Sequence, residues 1–404
     1  MRLLFVAQEA GETPSGVFTI LKELCKNWTA KDQIFLLANK SYRTEEEIKR
    51  KFTDIQKCKV LLLPFRIPFE VSLEINKLCK SIYFKYFLKI LLWFMRLIYA
   101  PIVILILAIW LKVKRIDGIL SHNGGWPGGE LNRWIIIAGR LARIKNNYLI
   151  IHNIPALRKR WYQVPWSFVR DRIVSLSCKK IITVSKSCKL SLETNTHFNK
   201  DLVVIYNGIE TEVTSSPSKI LHENFALLQK NNILKIGFIG ELSQRKGIHI
   251  LLKAMALVNR KCEVIIAGSG DEEYKKELLA LSKKCKHKVY FLDYVNNMSL
   301  VYPHLDIVVL PSLNFESFGM TIIEAMKYKK PVICSDFGGM KEVLEHNITG
   351  LVVLANNVFL LKKAIELLIN NEEMRISMGL AGRQRLESNF NSARMVGHYE
   401  GLFF

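Results

Sequence analysis

The chain has 404 residues, half of them apolar and 23% charged, which is a globular composition, too long for one core and suited to two domains. Its formal net charge of +22 calls for an anionic partner: nucleic acid, lipid headgroups or a phosphorylated substrate. No zinc-finger spacing, RNA-binding aromatic pair or helix-turn-helix pattern accompanies that charge, which leaves no sequence support for a nucleic-acid partner.

In chain order, residues 3–7 form an apolar run too short for a signal peptide and predict a first strand, so the protein is expected to stay in the cytosol. A loop with glycines at 11 and 16 follows, then a helix over 17–28. Further strands are predicted at 34–38, 119–121, 148–151, 181–184 and 203–205, and residues 206–209 close this half with a turn. The eight cysteines are scattered, with no C-x-x-C pair or metal spacing, as expected of core thiols in a reducing compartment.

Residues 82–115 stand apart. Lys85, Lys89 and Arg96 recur at near-helical spacing among aromatic and aliphatic side chains, and Lys112, Lys114 and Arg115 close the segment. The uncharged run from 97 to 111 is interrupted by Pro101 and falls short of the ~20 residues that cross a bilayer. Cations mixed with aromatics suit a helix lying at headgroup level, with two packed core helices as the alternative. The expectation is peripheral attachment to an anionic membrane surface, on the inner face of the cytoplasmic membrane, rather than a crossing.

Residues 210–232 are polar and irregular, as in a linker with one local helix. A second alternation then begins, with strands at 236–240, 264–268, 289–292 and 307–310 and helices at 247–259 and 272–284. Strands alternating with helices predict parallel sheets with crossover helices, so the fold class is α/β, with two Rossmann-like domains facing across a cleft. The expected domains are 1–212, with the membrane-docking segment at 82–115, and 213–385. A tail helix over 386–404 is expected to pack back on the first domain.

The most informative stretch is Glu316-Ser317-Phe318-Gly319-Met320-Thr321-Ile322-Ile323-Glu324, running on into Ala325-Met326. It follows a predicted strand, and a glycine stands where loop turns into helix. The edge of an open sheet binds ligands there, and the helix start offers free N–H groups to an anion. Two glutamates eight apart mean little alone, since one loop and one helix carboxylate in solvent would look the same. Downstream stand Lys330-Pro331-Val332-Ile333, Gly338-Gly339, Glu342 and Thr349-Gly350-Leu351-Val352. In this order the elements resemble the E-x7-E region of retaining glycosyltransferases of the GT-B architecture, family 4 in particular, closely over about 234–353 and loosely before that.

That resemblance implies a glycosyl transfer from a nucleotide diphosphate sugar to a lipid-linked or glycan acceptor in cell-surface glycan biosynthesis, with no cofactor and no metal. It assigns catalytic roles to His152, Arg245, Lys246 and Glu316. It assigns donor binding to Gly16, Gly240, Gly268, Val295, Ser317, Phe318, Gly319, Met320, Thr321 and Glu324, with Glu316 on the sugar and Glu324 on the ribose. Two departures stand out: Glu241 replaces the usual arginine after Gly240, and Val17 replaces a frequent glycine after Gly16. Arg245 beside Lys246 is the expected substitute cation, because cations at a helix start oppose its dipole unless an anion is bound. A catalytically silent scaffold protein at a membrane, or a nucleotide-sugar epimerase, are the competing functions. Nucleotide binding separates the first from an enzyme, and dependence on an acceptor separates the second.

Overall fold

The computed structural model describes residues 1–8, 16–39, 48, 52, 55–64, 66–79, 81–154, 164–213, 233–295, 297–314 and 316–403. The predicted linker helix and most of the glycine loop at 11–16 lie outside the described residues. The chain divides into two compact units, Met1–Tyr206 with Met395–Phe404, and Asn207–Arg394. The first unit therefore ends ahead of the boundary expected at 212. The tail expected from 386 begins later as well, because Leu386 and Phe390 are buried in the second unit, Phe390 against the Phe318 ring at 5.6 Å.

The first unit is built on seven parallel strands: β1 (Arg2–Ala7), β2 (Gln33–Ala38), β3 (Cys58–Leu62), β4 (Gly118–Asn123), β5 (Asn146–Ile151), β6 (Lys180–Thr183) and β7 (Leu202–Val204). Their order is β3-β2-β1-β4-β5-β6-β7. Leu3 to Ala7 are all buried, as continuous apolar strands of a parallel sheet covered on both faces must be. The strand order reverses between β1 and β4, which opens a crevice at the carboxyl ends of those strands. Strand β3 carries no alternation and was not anticipated; it is a half-buried edge strand. Met395–Phe404 complete the unit: the Glu400 carboxylate accepts from Thr29 N at 2.6 Å and Ala30 N at 3.0 Å, and Phe403 packs edge-on against Trp28 and Tyr148.

Residues 82–113 form one helix, Ile82–Val113, rather than two, and it is long and apolar enough to cross a bilayer by length and composition. Its two sides differ sharply. One line, spaced three and four residues apart, reads Lys85, Lys89, Leu92, Arg96, Ala100, Val103, Leu107 and Leu111. The buried members of that line, from Leu92 to Leu111, pack the helix onto the unit. The opposite line reads Phe87, Leu91, Phe94, Ile98, Ile102, Leu105, Ile109 and Val113, every one apolar and between 49% and 71% exposed. At about 1.5 Å per residue this stripe runs roughly 39 Å. Helix Val164–Ser177 extends it with exposed Trp166, Val169 and Ile173, and the Trp93 and Trp166 rings meet at 6.1 Å.

The second unit has six parallel strands: β8 (Lys235–Ile239), β9 (Glu263–Ala267), β10 (Lys288–Leu292), β11 (Ile307–Leu310), β12 (Val332–Ser335) and β13 (Gly350–Val353). Their order is β10-β9-β8-β11-β12-β13, so the reversal falls between β8 and β11. Helices Ile248–Leu257, Glu272–Ser282, Met320–Lys327, Val358–Asn370 and Glu372–Asn389 flank the sheet, and Ile236, Phe238, Val264, Ile266, Ile307 and Ile333 form the centre of its core.

Candidate functional site

In the second unit the switch point is lined by the segments that leave β8 and β11. Gly240 leaves β8 with φ 149° and Gly268 leaves β9 with φ 151°; a Cβ on Gly268 would stand 1.9 Å from the Gly240 carbonyl oxygen. These two strand ends can touch only because Gly268 has no side chain. The loop after β8 then passes Gly247, with φ 68°, where a Cβ would lie 1.9 Å from the Pro311 carbonyl oxygen. This close pass brings the turn Gln244–Lys246 against the loop after β11, and Leu313 N donates to Arg245 O at 2.8 Å.

One consequence is an ion pair between residues 70 apart in sequence: Lys246 Nζ stands 2.5 Å from Glu316 Oε2, both side chains mostly buried. Ser312 Oγ donates to the same oxygen at 3.4 Å, and the Glu316 carbonyl accepts from Gly339 N at 3.1 Å. Arg245 has a different partner. Its Nη2 lies 2.5 Å from Glu241 Oε2 in a half-exposed pair of the kind that contributes little stability. The residue that replaces the usual arginine therefore neutralises the expected substitute cation, and Lys246 alone of the two meets Glu316.

Gly319 caps helix Met320–Lys327 with φ 87°, a left-handed conformation that suits glycine. Ile322 N donates to Gly319 O at 2.9 Å, while the N–H groups of Met320 and Thr321 precede the helix's own hydrogen-bond ladder, which favours an anion in front of them. Ser317 and Phe318 are buried, Met320 and Thr321 half-buried, and Thr321 Oγ1 donates to Ile239 O at 3.4 Å. Glu324 Oε2 accepts from Tyr302 OH at 2.8 Å, and Tyr302 stacks on Tyr328 at 5.2 Å. Burial raises the Glu324 pKa, while the Tyr302 hydrogen bond and Lys327 oppose the rise. Sequence reasoning missed Tyr302, since nothing 22 positions away marks a tyrosine as the partner of a helical glutamate. Val295 follows β10, half-buried.

In the first unit, Gly16 opens helix Gly16–Asn27. His152 follows β5, with its backbone N donating to Asn123 O at 2.9 Å. Its Nε2 lies 2.9 Å from His122 Nδ1, with ring centroids 5.2 Å apart and planes within 22°. Nearly coplanar rings at that separation share an edge-to-edge hydrogen bond. Burial pushes His152 down to about 4, and burial followed by repulsion from His152 pushes His122 well below 6.5, so the pair is neutral at pH 7. His122 lies one residue beyond the strand expected at 119–121 and was not singled out; the structure places it within β4. The next residue, Asn123, pins that loop by donating to Gly128 O at 2.8 Å and accepting from Gly125 N at 3.1 Å.

Chemically, the second unit offers one fixed cation, a helix start and two glutamates at the edge where doubly wound sheets bind ligands. Two such sheets in one chain are the GT-B architecture. The fold matches over its whole length that of Alr3699/HepE from Anabaena, whose structure holds UDP and glucose: TM-score 0.72 at 18% identity, over 99% of this chain and 98% of that one. The profile of the family Glycosyl transferases group 1 matches residues 222–385. An uncharacterized glycosyltransferase of Methanocaldococcus jannaschii is 31% identical over 278 residues, 68% of this chain and 71% of the relative. The capsular polysaccharide biosynthesis glycosyltransferase CapM of Staphylococcus aureus is 25% identical over 58% of this chain and 64% of its own length. Alignments cover between 48% and 76% of the first curated relatives. The chain belongs to the group 1 glycosyltransferase family.

Proposed function

We propose that the chain moves a hexosyl unit from a nucleotide diphosphate sugar to a lipid-linked or polysaccharide acceptor in cell-surface glycan biosynthesis, with retention at the anomeric carbon and without a metal. The observation that carries this reading is the Lys246–Glu316 pair at 2.5 Å, set before the start of helix Met320–Lys327 at the switch point of the second sheet. The acceptor oxygen forms a bond to the anomeric carbon as the bond from that carbon to the phosphate oxygen breaks. The nucleotide diphosphate leaves with the electron pair, and the acceptor proton goes to the departing phosphate oxygen. Lys246 and the helix N–H groups stabilise the charge developing on that oxygen. Glu316 accepts from sugar hydroxyls, Glu324 from the ribose, and neutral His152 orients the sugar. UDP and glucose in the HepE structure and the capsular role of CapM support a nucleotide-sugar donor and a surface-glycan product. The outward apolar line of helix Ile82–Val113 supports attachment to a membrane surface, which this reading takes to be the inner face of the cytoplasmic membrane.

The test is calorimetric titration of UDP, GDP and ADP, then of their sugars, into the wild type and Glu324→Gln without metal. Selective binding of one nucleotide, weakened by the substitution, is expected. No binding by folded protein would refute the enzyme and favour the silent scaffold, which the neutralised Arg245 would suit.

A further inference from the structure

A second cluster of charge lies in the first unit, on residues to which the transfer reaction gives no role. Arg96 Nε, on the inward line of helix Ile82–Val113, is 3.0 Å from Glu130 Oε1. One turn along helix Glu130–Leu141, Arg133 Nη1 donates to the Gly128 carbonyl at 2.9 Å, on the loop that ends β4. Arg170, on helix Val164–Ser177, holds Asp171 Oδ1 at 2.8 Å and lies 5.4 Å over the Trp126 ring. Asp171 is fully buried and already engaged: Trp126 Nε1 donates to its Oδ1 and His197 N to its Oδ2, each at 3.1 Å.

The five charged groups act on one another. Burial lowers the Arg133 pKa to about 10; Glu130 and Asp171 work against that fall, and Arg170 and Arg96 add to it. Among the described residues three guanidiniums thus share two carboxylates, a surplus of positive charge in a half-buried setting. Such a surplus is costly until an anion completes it, and guanidinium forks match phosphate oxygens better than any other side chain does. Arg96 and Arg170 keep 33% and 28% of their side-chain surface exposed, so an anion can reach them.

The position of the cluster says which anion. On one side is loop 124–129 at the carboxyl end of β4, the sheet edge where ligands of such folds bind. On the other are the exposed Trp93 and Trp166, whose rings meet at 6.1 Å, each one helical turn before Arg96 and Arg170 respectively. A ligand with a hydrocarbon tail, a phosphate and a polar head in that order fits the sequence of surfaces. We infer that Arg96, Arg133 and Arg170 bind the phosphate or diphosphate of a lipid-linked acceptor, with the tail along the apolar helices and the glycan beside loop 124–129. The glycan end rests on the transferase reading; the phosphate end rests on the cluster.

The test titrates the full chain with farnesyl diphosphate and with inorganic pyrophosphate, and competes the first against vesicles of phosphatidylcholine with and without phosphatidylglycerol. Farnesyl diphosphate is expected to bind and pyrophosphate to compete more weakly. Arg133→Gln and Arg96→Gln should each weaken farnesyl diphosphate roughly tenfold or more, a charged hydrogen bond's share. Arg96→Lys is expected to fall between, since it keeps the charge and loses the fork. If Arg133→Gln fails to fold by circular dichroism, Arg96→Gln decides, because Arg96 is partly exposed. Unchanged affinity in the folded variants would overturn the assignment. So would competition by phosphatidylglycerol vesicles as effective as farnesyl diphosphate, which would make the cluster a headgroup site. Nucleotide binding by the second unit is measured in parallel: if it persists while farnesyl diphosphate fails to bind, the acceptor site alone is refuted.

Discussion

Replacing Ile98 and Phe94 together by asparagine tests membrane attachment in numbers. Both lie on the outward line of helix Ile82–Val113, 71% and 56% exposed, so little packing inside the protein is lost. Burying a whole aliphatic or aromatic side chain is worth roughly 1.5–3 kcal/mol. Scaled by the exposed share, the pair contributes about 3 kcal/mol to partition into a bilayer, or roughly a hundredfold in the partition constant. The desolvation cost of two amides acts in the same direction. Co-sedimentation with phosphatidylcholine–phosphatidylglycerol vesicles should therefore fall about a hundredfold, while the melting temperature in solution stays close to wild type. Salt should weaken attachment without abolishing it, because each cation near an anionic surface adds only about 1 kcal/mol to what the stripe supplies. Vesicle binding unchanged in the double variant would refute the argument that this stripe is the attachment surface.

Lys246→Ala removes the cation that meets Glu316, and should lower kcat/KM at least a hundredfold in a transfer assay with the correct donor, the scale seen for one lost charge-stabilising donor. Gly268→Ala forces a Cβ to 1.9 Å from the Gly240 carbonyl oxygen at a φ of 151°; a folded variant with an unchanged urea midpoint would contradict the contact between these strand ends. The hydrogen-bonded histidine pair sets a pH dependence whose sign is fixed. The unfolded histidines bind protons near 6.5 and the folded His152 only near 4, so below about 6.5 the unfolded state carries more protons and stability falls as pH drops. At about 1.4 kcal/mol per pKa unit, His152 alone accounts for roughly 2 kcal/mol between pH 7 and pH 5, read as a lower urea midpoint at pH 5. Above 6.5 the pair should have no effect.

Much of the fold was legible because parallel strands buried on both faces announce themselves. Ile307-Val308-Val309-Leu310 and Leu3-Leu4-Phe5-Val6-Ala7 are short apolar runs bounded by turn residues, and each stands as a strand. Cys58-Lys59-Val60-Leu61-Leu62 escaped because an edge strand needs to bury less, and Lys59 shortens the apolar run. The continuity of helix Ile82–Val113 escaped for another reason. Pro101 removes one N–H and reads as a break in sequence, yet Val103, Leu107 and Leu111 after it fall on the same buried line as Leu92 before it. The packed line continues through the proline.

The site divides along the same principle. Gly319, Glu316 and Lys246 are tied to turns at the ends of strands, and those turns follow from local sequence. What local sequence does not carry is which charge faces which. Arg245 and Lys246 are neighbours, and no spacing distinguishes them; the difference comes from Gly247, whose missing Cβ lets the loop press on the Pro311 carbonyl and sets Lys246 against Glu316. Glu241 then takes Arg245 at the exposed rim. Read from sequence, Glu241 looked like the loss of a phosphate-gripping arginine, with Arg245 as its replacement. The geometry gives that replacement a carboxylate of its own and leaves the mostly buried Lys246 as the cation beside Glu316, which is why Lys246, more than Arg245, is the residue whose removal should cost the most activity.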